Sequence, residues 1–249
     1  MSGHSKWSTI KRQKGANDAK RGAIFTKLSR EIIQAAKQGG GDTTMNFKLR
    51  LAVQRAKAAN MPNDNIDRAI SKGSGGGSDE QLYEITYEGY GPGGTAIIVS
   101  ALTDNRNRTV SEVRHQFSRA GGNLGENGSV AWQFEPKGLI TIPVNGKDAD
   151  DLALQAIDAG AEDVDIQADM VEVKTEPSQL EPVRKALEAN GLDIDNADFA
   201  MVPKVTVDLD QKAAHQVLRL IEGLEDLEDV QRVYSNADFS DDILDSYAG

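Results

Sequence analysis

The hexapeptide Asp104-Asn105-Arg106-Asn107-Arg108-Thr109 sets two guanidinium groups beside the start of a predicted helix. Free backbone N–H groups at such a start, together with Arg106 and Arg108, could receive a phosphate or a carboxylate. The same residues could instead serve the fold, with Asn107 or Thr109 capping the helix and the arginines pairing with nearby acids. A second cationic set opens the chain: Lys6, Lys11, Arg12, Lys14, Lys20 and Arg21, with His4 and Trp7 among them, stand against one acid, Asp18. Lysine and arginine neutralise phosphates, and the Trp7 indole offers a face on which a base could stack. Trp7 could equally fold back as an apolar anchor.

Other chemistry has weaker support. Gly89-Tyr90-Gly91-Pro92-Gly93-Gly94 has the G-x-G-x-x-G spacing of dinucleotide sites, but the following Thr95-Ala96-Ile97-Ile98-Val99-Ser100 reads as a strand. The fingerprint needs a helix there, so these residues are expected to form a turn between antiparallel strands. His4, His115 and His215 have no metal-ligand spacing, and the chain has neither a G-K-[ST] phosphate loop nor a G-x-S-x-G turn. The chain lacks cysteine, which removes thiolate nucleophiles and sulfur-ligated zinc. A non-enzymatic protein with no cofactor and no metal is expected.

The charge is segregated along the chain. Residues 1–78 carry 15 Lys and Arg against 5 Asp and Glu, whereas residues 79–249 carry 13 against 34. The front attracts polyanions and the rest repels them. Lys27 and Arg30, on the polar side of the first predicted helix, extend the candidate nucleic-acid-binding set. No apolar run is long enough for a membrane span, and the opening residues lack the core of a signal peptide, so a cytoplasmic protein without a membrane partner is expected.

The elements that must position these residues follow from periodicity. Helical spacing begins at Ala23 (Ile24, Leu28, Ile32) and stops at Gly39-Gly40-Gly41; a second helix is read from Met45, Leu49, Val53 and Ala56, and a third from Asn63. Short helices with one apolar stripe bury it against one another, which predicts a three-helix bundle over 23–72. The Gly/Ser linker at 73–79 should span roughly 15 Å and let the bundle reorient. Beyond it, strands at 82–88 and 95–102, a helix at 109–120 and a strand at Ser129-Val130-Ala131-Trp132-Gln133-Phe134 predict a mixed α/β unit. Residues 138–203 then read βαββαβ, the ferredoxin-like order, with Ser178 and Glu181 as a capping box and Gly191 as a helix stop. A strand near Val205, a helix carrying Val217, Ile221 and Leu224, a strand at 230–234 and a frayed acidic tail complete the pattern.

Six segments carry a resemblance to one family: GHSKW at 3–7, AKRG at 19–22, GGGD at 39–42, YEGYGPGG at 87–94, DNRNRT at 104–109 and GGNLG at 121–125. Over essentially its whole length the chain resembles the YebC family, bacterial proteins with mitochondrial relatives that activate translation. That resemblance implies an α+β multidomain fold in which a ferredoxin-like domain is inserted into the α/β middle domain. The expected parts are a basic flexible arm at 1–22, a three-helix bundle with its linker at 23–79, an α/β domain at 80–135 and 205–237, the inserted domain at 136–204 and an acidic tail at 238–249. It also implies a regulator of gene expression, since some members are described as DNA-binding transcriptional regulators and others act on the ribosome. Structured RNA on the ribosome is the expected partner ahead of duplex DNA, because Asp64 and Asp67 would head any recognition helix in the bundle. The acidic domains would then face protein (ribosomal proteins among them), solvent or a partner factor.

Overall fold

The computed structural model describes residues 18–75, 81–167 and 169–248. Two compact units emerge, one of residues 135–202 and one formed by the remainder of the described chain. The fold is α+β: a helical bundle, an α/β layer and a ferredoxin-like insertion.

In the bundle, α1 (Asp18–Gly39), α2 (Phe47–Ala58) and α3 (Asn63–Ser74) enclose Ile32, Leu49, Ala52, Ala56, Met61 and Ile66. Helix α1 already includes Asp18, ahead of the expected Ala23. Ala19, Lys20 and Arg21 are strong helix formers, so the helix can begin ahead of its first apolar residues. Met45 is not part of α2; it is 84% exposed in the preceding turn. Buried Asn46 takes the cap instead: its Oδ1 accepts from Leu49 N at 3.0 Å, while its Nδ2 donates to the Ala35 and Gly40 carbonyls, each at 2.8 Å. One amide thereby satisfies orphan groups at the end of α1 and at the start of α2.

In the α/β layer, β1 (Tyr83–Tyr90), β2 (Ala96–Thr103), β3 (Asn123–Leu124) and β9 (Val230–Ser235) run in the order β3-β1-β2-β9. The β1–β2 pairing, from Tyr83↔Thr103 to Tyr90↔Ala96, closes through the expected glycine-rich turn, in which Gly93 has φ +69°. Helices α4 (Arg106–Arg119) and α7 (Gln211–Glu225) pack Val113, Phe117, Val217, Leu218, Ile221 and Leu224 against Ile97 and Val99. The predicted strand at 129–134 is instead a short 3-10 turn at Ala131–Gln133, because backbone N–H groups there are drawn to the Glu88 carboxylate. Val205 is 73% exposed, and the short strand falls at β8 (Val207–Asp208), parallel to β10 (Ala237–Asp238). The tail is not frayed. It forms α8 (Asp241–Ala248), whose Leu244 enters the core and whose Tyr247 hydroxyl donates to Glu222 at 2.6 Å.

The inserted unit comprises β4 (Phe134–Pro143), α5 (Ala149–Asp158), β5 (Asp163–Ile166), β6 (Met170–Thr175), α6 (Leu180–Ala189) and β7 (Asn196–Pro203). Its sheet order β5-β6-β4-β7 is ferredoxin-like. Ile140, Ile142, Val171 and Val173 are fully buried, as are Leu152, Leu180 and Leu187 of its helices. Gly191 ends α6 with φ +78°, as expected. The Ser178/Glu181 capping box does not form: a 3-10 turn at Pro177–Gln179 precedes the helix, and Glu181 accepts from Arg184 Nε at 2.9 Å.

The bundle does not reorient freely. Helix α1 is tied to the α/β layer by Arg30 to Asp229 and Glu228, by Lys27 to the Glu225 carbonyl, and by Gln34 and Gln38 to Glu84. Part of the linker, 76–79, lies outside the described residues. Within the bundle α1 and α3 meet at Gly73, where an added Cβ would sit 2.4 Å from the Ile33 carbonyl oxygen. Gly73→Ala should therefore cost about 1–3 kcal/mol despite the better helix propensity of alanine. Gly22→Ala on α1, with nothing within 4 Å, should instead raise stability slightly; thermal melts of the two variants check the opposite signs.

Candidate nucleic-acid interface

The Asp104–Thr109 motif sits where β2 ends and α4 begins. Helix α4 starts at Arg106 rather than Thr109, since the cap is Asn105, whose Oδ1 accepts from Arg108 N at 3.1 Å. Neither Asn107 nor Thr109 caps. Thr109 is buried, and its hydroxyl donates to Asp229 Oδ2 at 2.7 Å.

Asp229, in the turn between α7 and β9, is 1% exposed and gathers four side chains from three other elements. Its carboxylate accepts from Arg30 Nη1 at 2.8 Å on α1, from Arg108 Nη2 at 2.8 Å and Thr109 on α4, and from the Thr103 hydroxyl at 3.0 Å on β2. Its carbonyl accepts from Leu102 N at 2.8 Å. Burial alone would push this carboxyl up, but the hydrogen bonds from Arg108, Thr109 and Thr103 outweigh it and hold the group below the ordinary carboxylate range. Hydrogen bonds to Asp229 and Asp104 in turn hold the Arg108 guanidinium charged.

These ties decide what faces outward. Lys27, Arg30 and Arg108 are directed to acceptors of their own chain, so for Arg108 the pairing with nearby acids is the arrangement realised. Arg106 is exposed, with its guanidinium carbon over the Tyr83 ring, 4.0 Å from the centroid. Arg21 is exposed on α1, joined on the bundle surface by Lys37, Lys48, Lys57, Arg68 and Lys72, five cations that sequence reasoning did not single out. Their signal was the excess of base over acid in residues 1–78. Arg114, His115 and Arg119 are exposed along α4. His4, Lys6, Trp7, Lys11, Arg12 and Lys14 lie outside the described residues, as does the Lys20 side chain. Asp229, the residue that orders this corner, was missed because nothing in its neighbourhood distinguishes it from the surrounding acids.

A cation-bearing helical bundle fastened to an acidic α/β layer that carries a ferredoxin-like insertion defines a three-part α+β protein. The chain belongs to the TACO1/YebC family: residues 5–76 match the TACO1/YebC protein N-terminal domain and residues 82–237 match the TACO1/YebC second and third domain. It is 56% identical over 247 residues to a probable transcriptional regulatory protein of Dehalococcoides mccartyi, covering 99% of this chain and 98% of the relative. A protein of the same description from Rubrobacter xylanophilus is 55% identical over 250 residues, with 100% of each chain covered. The crystal structure of a conserved hypothetical protein, Aq1575 from Aquifex aeolicus, superposes with a TM-score of 0.84 at 46% identity, covering 91% of this chain and 94% of that one. Among the described residues, no helix is long and apolar enough to cross a membrane.

Replacing Asp229 by asparagine leaves Arg30 and Arg108 without their shared counter-charge and should cost about 3 kcal/mol at neutral pH. Because the native carboxyl titrates below its unfolded value of about 4, its contribution is complete above that pH and fades as pH falls through the native value. Denaturant unfolding should thus separate wild type from Asp229→Asn widely at pH 7, with the gap narrowing as pH falls below about 4; a gap that does not change with pH would contradict the charge network.

Proposed function

We propose that this chain is a non-enzymatic, nucleic-acid-binding regulator of gene expression. The observation that carries the reading is the division of charge: after Lys27, Arg30 and Arg108 are committed to internal acceptors, the bundle surface still exposes Lys37, Lys48, Lys57 and Arg68, in line with the basic residues ahead of it in sequence. Such a surface reads phosphate and shape rather than base edges. Arg106 extends it onto the α/β layer. Relatives described as transcriptional regulatory proteins support duplex DNA as the target and transcription as the process.

A second reading, structured RNA on the ribosome, is favoured by one observation. Asp64 and Asp67 are exposed at the start of α3, where a helix-turn-helix would present donors to the major groove. Under that reading the acidic remainder faces ribosomal proteins.

If the six Lys and Arg residues within 1–21 each neutralise one phosphate, duplex affinity should fall with log salt at a slope near −5, about a thousandfold between 50 and 200 mM. A slope near zero would remove the electrostatic basis. Crosslinking in cells, with RNA and DNA recovered together, then separates the targets: promoter DNA supports the transcriptional reading, ribosomal RNA the translational one.

A further inference from the structure

The loop between β3 and β4 does more than connect strands. Glu88 on β1 is 6% exposed; its Oε1 accepts from Gly128 N at 2.7 Å, and its Oε2 accepts from Val130 N at 2.8 Å and Ala131 N at 2.7 Å. Burial would push this carboxyl up, but the three backbone donors hold it below its ordinary value and so ionised. A buried charge gripping three backbone N–H groups of the loop fixes the backbone on which Trp132 rides.

Trp132 is 68% exposed, an unusual place for the largest apolar side chain, which forgoes a few kcal/mol of burial there. Its Nε1 donates to the Ser129 carbonyl at 3.1 Å, and the hydroxyl of Tyr90, itself 39% exposed, donates to the same carbonyl at 2.9 Å. Both rings therefore hang from one fixed oxygen with their polar ends already used. What they offer a ligand is ring face. Lys204 Nζ donates to the Trp132 carbonyl at 3.1 Å, placing one ammonium at the backbone that carries the indole.

We propose that Trp132 and Tyr90 form a stacking site for an unpaired nucleobase, with Lys204 placed for the adjoining phosphate. This deepens the nucleic-acid reading above and rests on it. A base presents a flat face whatever its identity, which matches rings whose hydrogen-bonding groups are occupied. Paired bases inside a duplex present no free face, so the ligand class is single-stranded RNA or DNA. With two rings and a single ammonium in the set, the energy comes from stacking and not from phosphate neutralisation. No base-edge donor or acceptor is needed, and none of the named groups supplies sequence preference.

The chain has two tryptophans, so Trp7→Phe leaves Trp132 as the sole indole fluorophore. In that full-length background, titration with a single-stranded adenylate 12-mer should quench the emission. Trp132→Ala should weaken 12-mer binding about tenfold, a value inside the 1–3 kcal/mol range of base stacking, with an unchanged salt slope. Trp132→Phe should restore most of the affinity, and duplex binding and the melting temperature should stay as in the parent. Unquenched emission, or equal 12-mer affinity with and without Trp132, overturns the stacking site; duplex binding retained in the same series leaves the broader reading standing. Failure of both 12-mer and duplex to bind removes the two together.

Discussion

A single buried carboxylate must find enough donors to remain charged, and the corner around Asp229 is organised by that requirement. Desolvation of an ion costs several kcal/mol, and only donors arriving from different directions repay it. Here they come from α1, α4 and the end of β2, so the same carboxylate that stays ionised also fixes three elements relative to β9. The demand explains why the bundle is fastened to the α/β layer and why Arg30 and Arg108 are both directed to one carboxylate. It also explains the Thr109 hydroxyl within α4, which serves the carboxylate instead of capping a helix.

Charge is thus used in two ways in one chain. Where cation and anion come from distant parts of the sequence and one partner is buried, as for Arg30 and Asp229, the pair is architecture. Where cations outnumber acids along the sequence, as in the bundle, several of them, such as Lys37 and Arg68, stand exposed on its surface. The inserted unit follows the first rule: Lys137, only 8% exposed, reaches Glu162 and Glu176, and Arg184 is held by Glu181 and Glu188. Cations of that unit are largely consumed by its own acids.

Periodicity made the helices, the β1–β2 hairpin and the βαββαβ order legible, because an apolar stripe or alternation reports burial directly. Asn63 as the start of α3 and Gly191 as the end of α6 were legible through terminus chemistry. What failed was local competition. Ser178 and Glu181 have capping-box spacing, yet Arg184 claims the glutamate; Ser129–Phe134 has strand composition, yet Glu88 draws its N–H groups into a turn. The acidic tail was misread because charge masks the Leu244 and Tyr247 pair that docks α8. At the candidate interface, residue types were readable but directions were not. No pattern distinguishes an arginine that faces solvent, such as Arg106, from one two residues later that turns to Asp229. Asp229 and Glu88, whose partners lie far away in sequence, left no local trace at all.

The backbone N–H of Lys204 donates to the carbonyl of Gln133 at 2.8 Å. The chain leaves the α/β layer just after the second residue and returns just before the first, so the excursion of residues 135–202 begins and ends at one clamped point. For the host layer the excursion is a loop whose ends are already closed, and closure entropy rises only slowly with loop length. Each doubling of the excursion adds only about 0.6 kcal/mol to that closure, so the layer carries a whole folded domain at this position at a modest entropic cost.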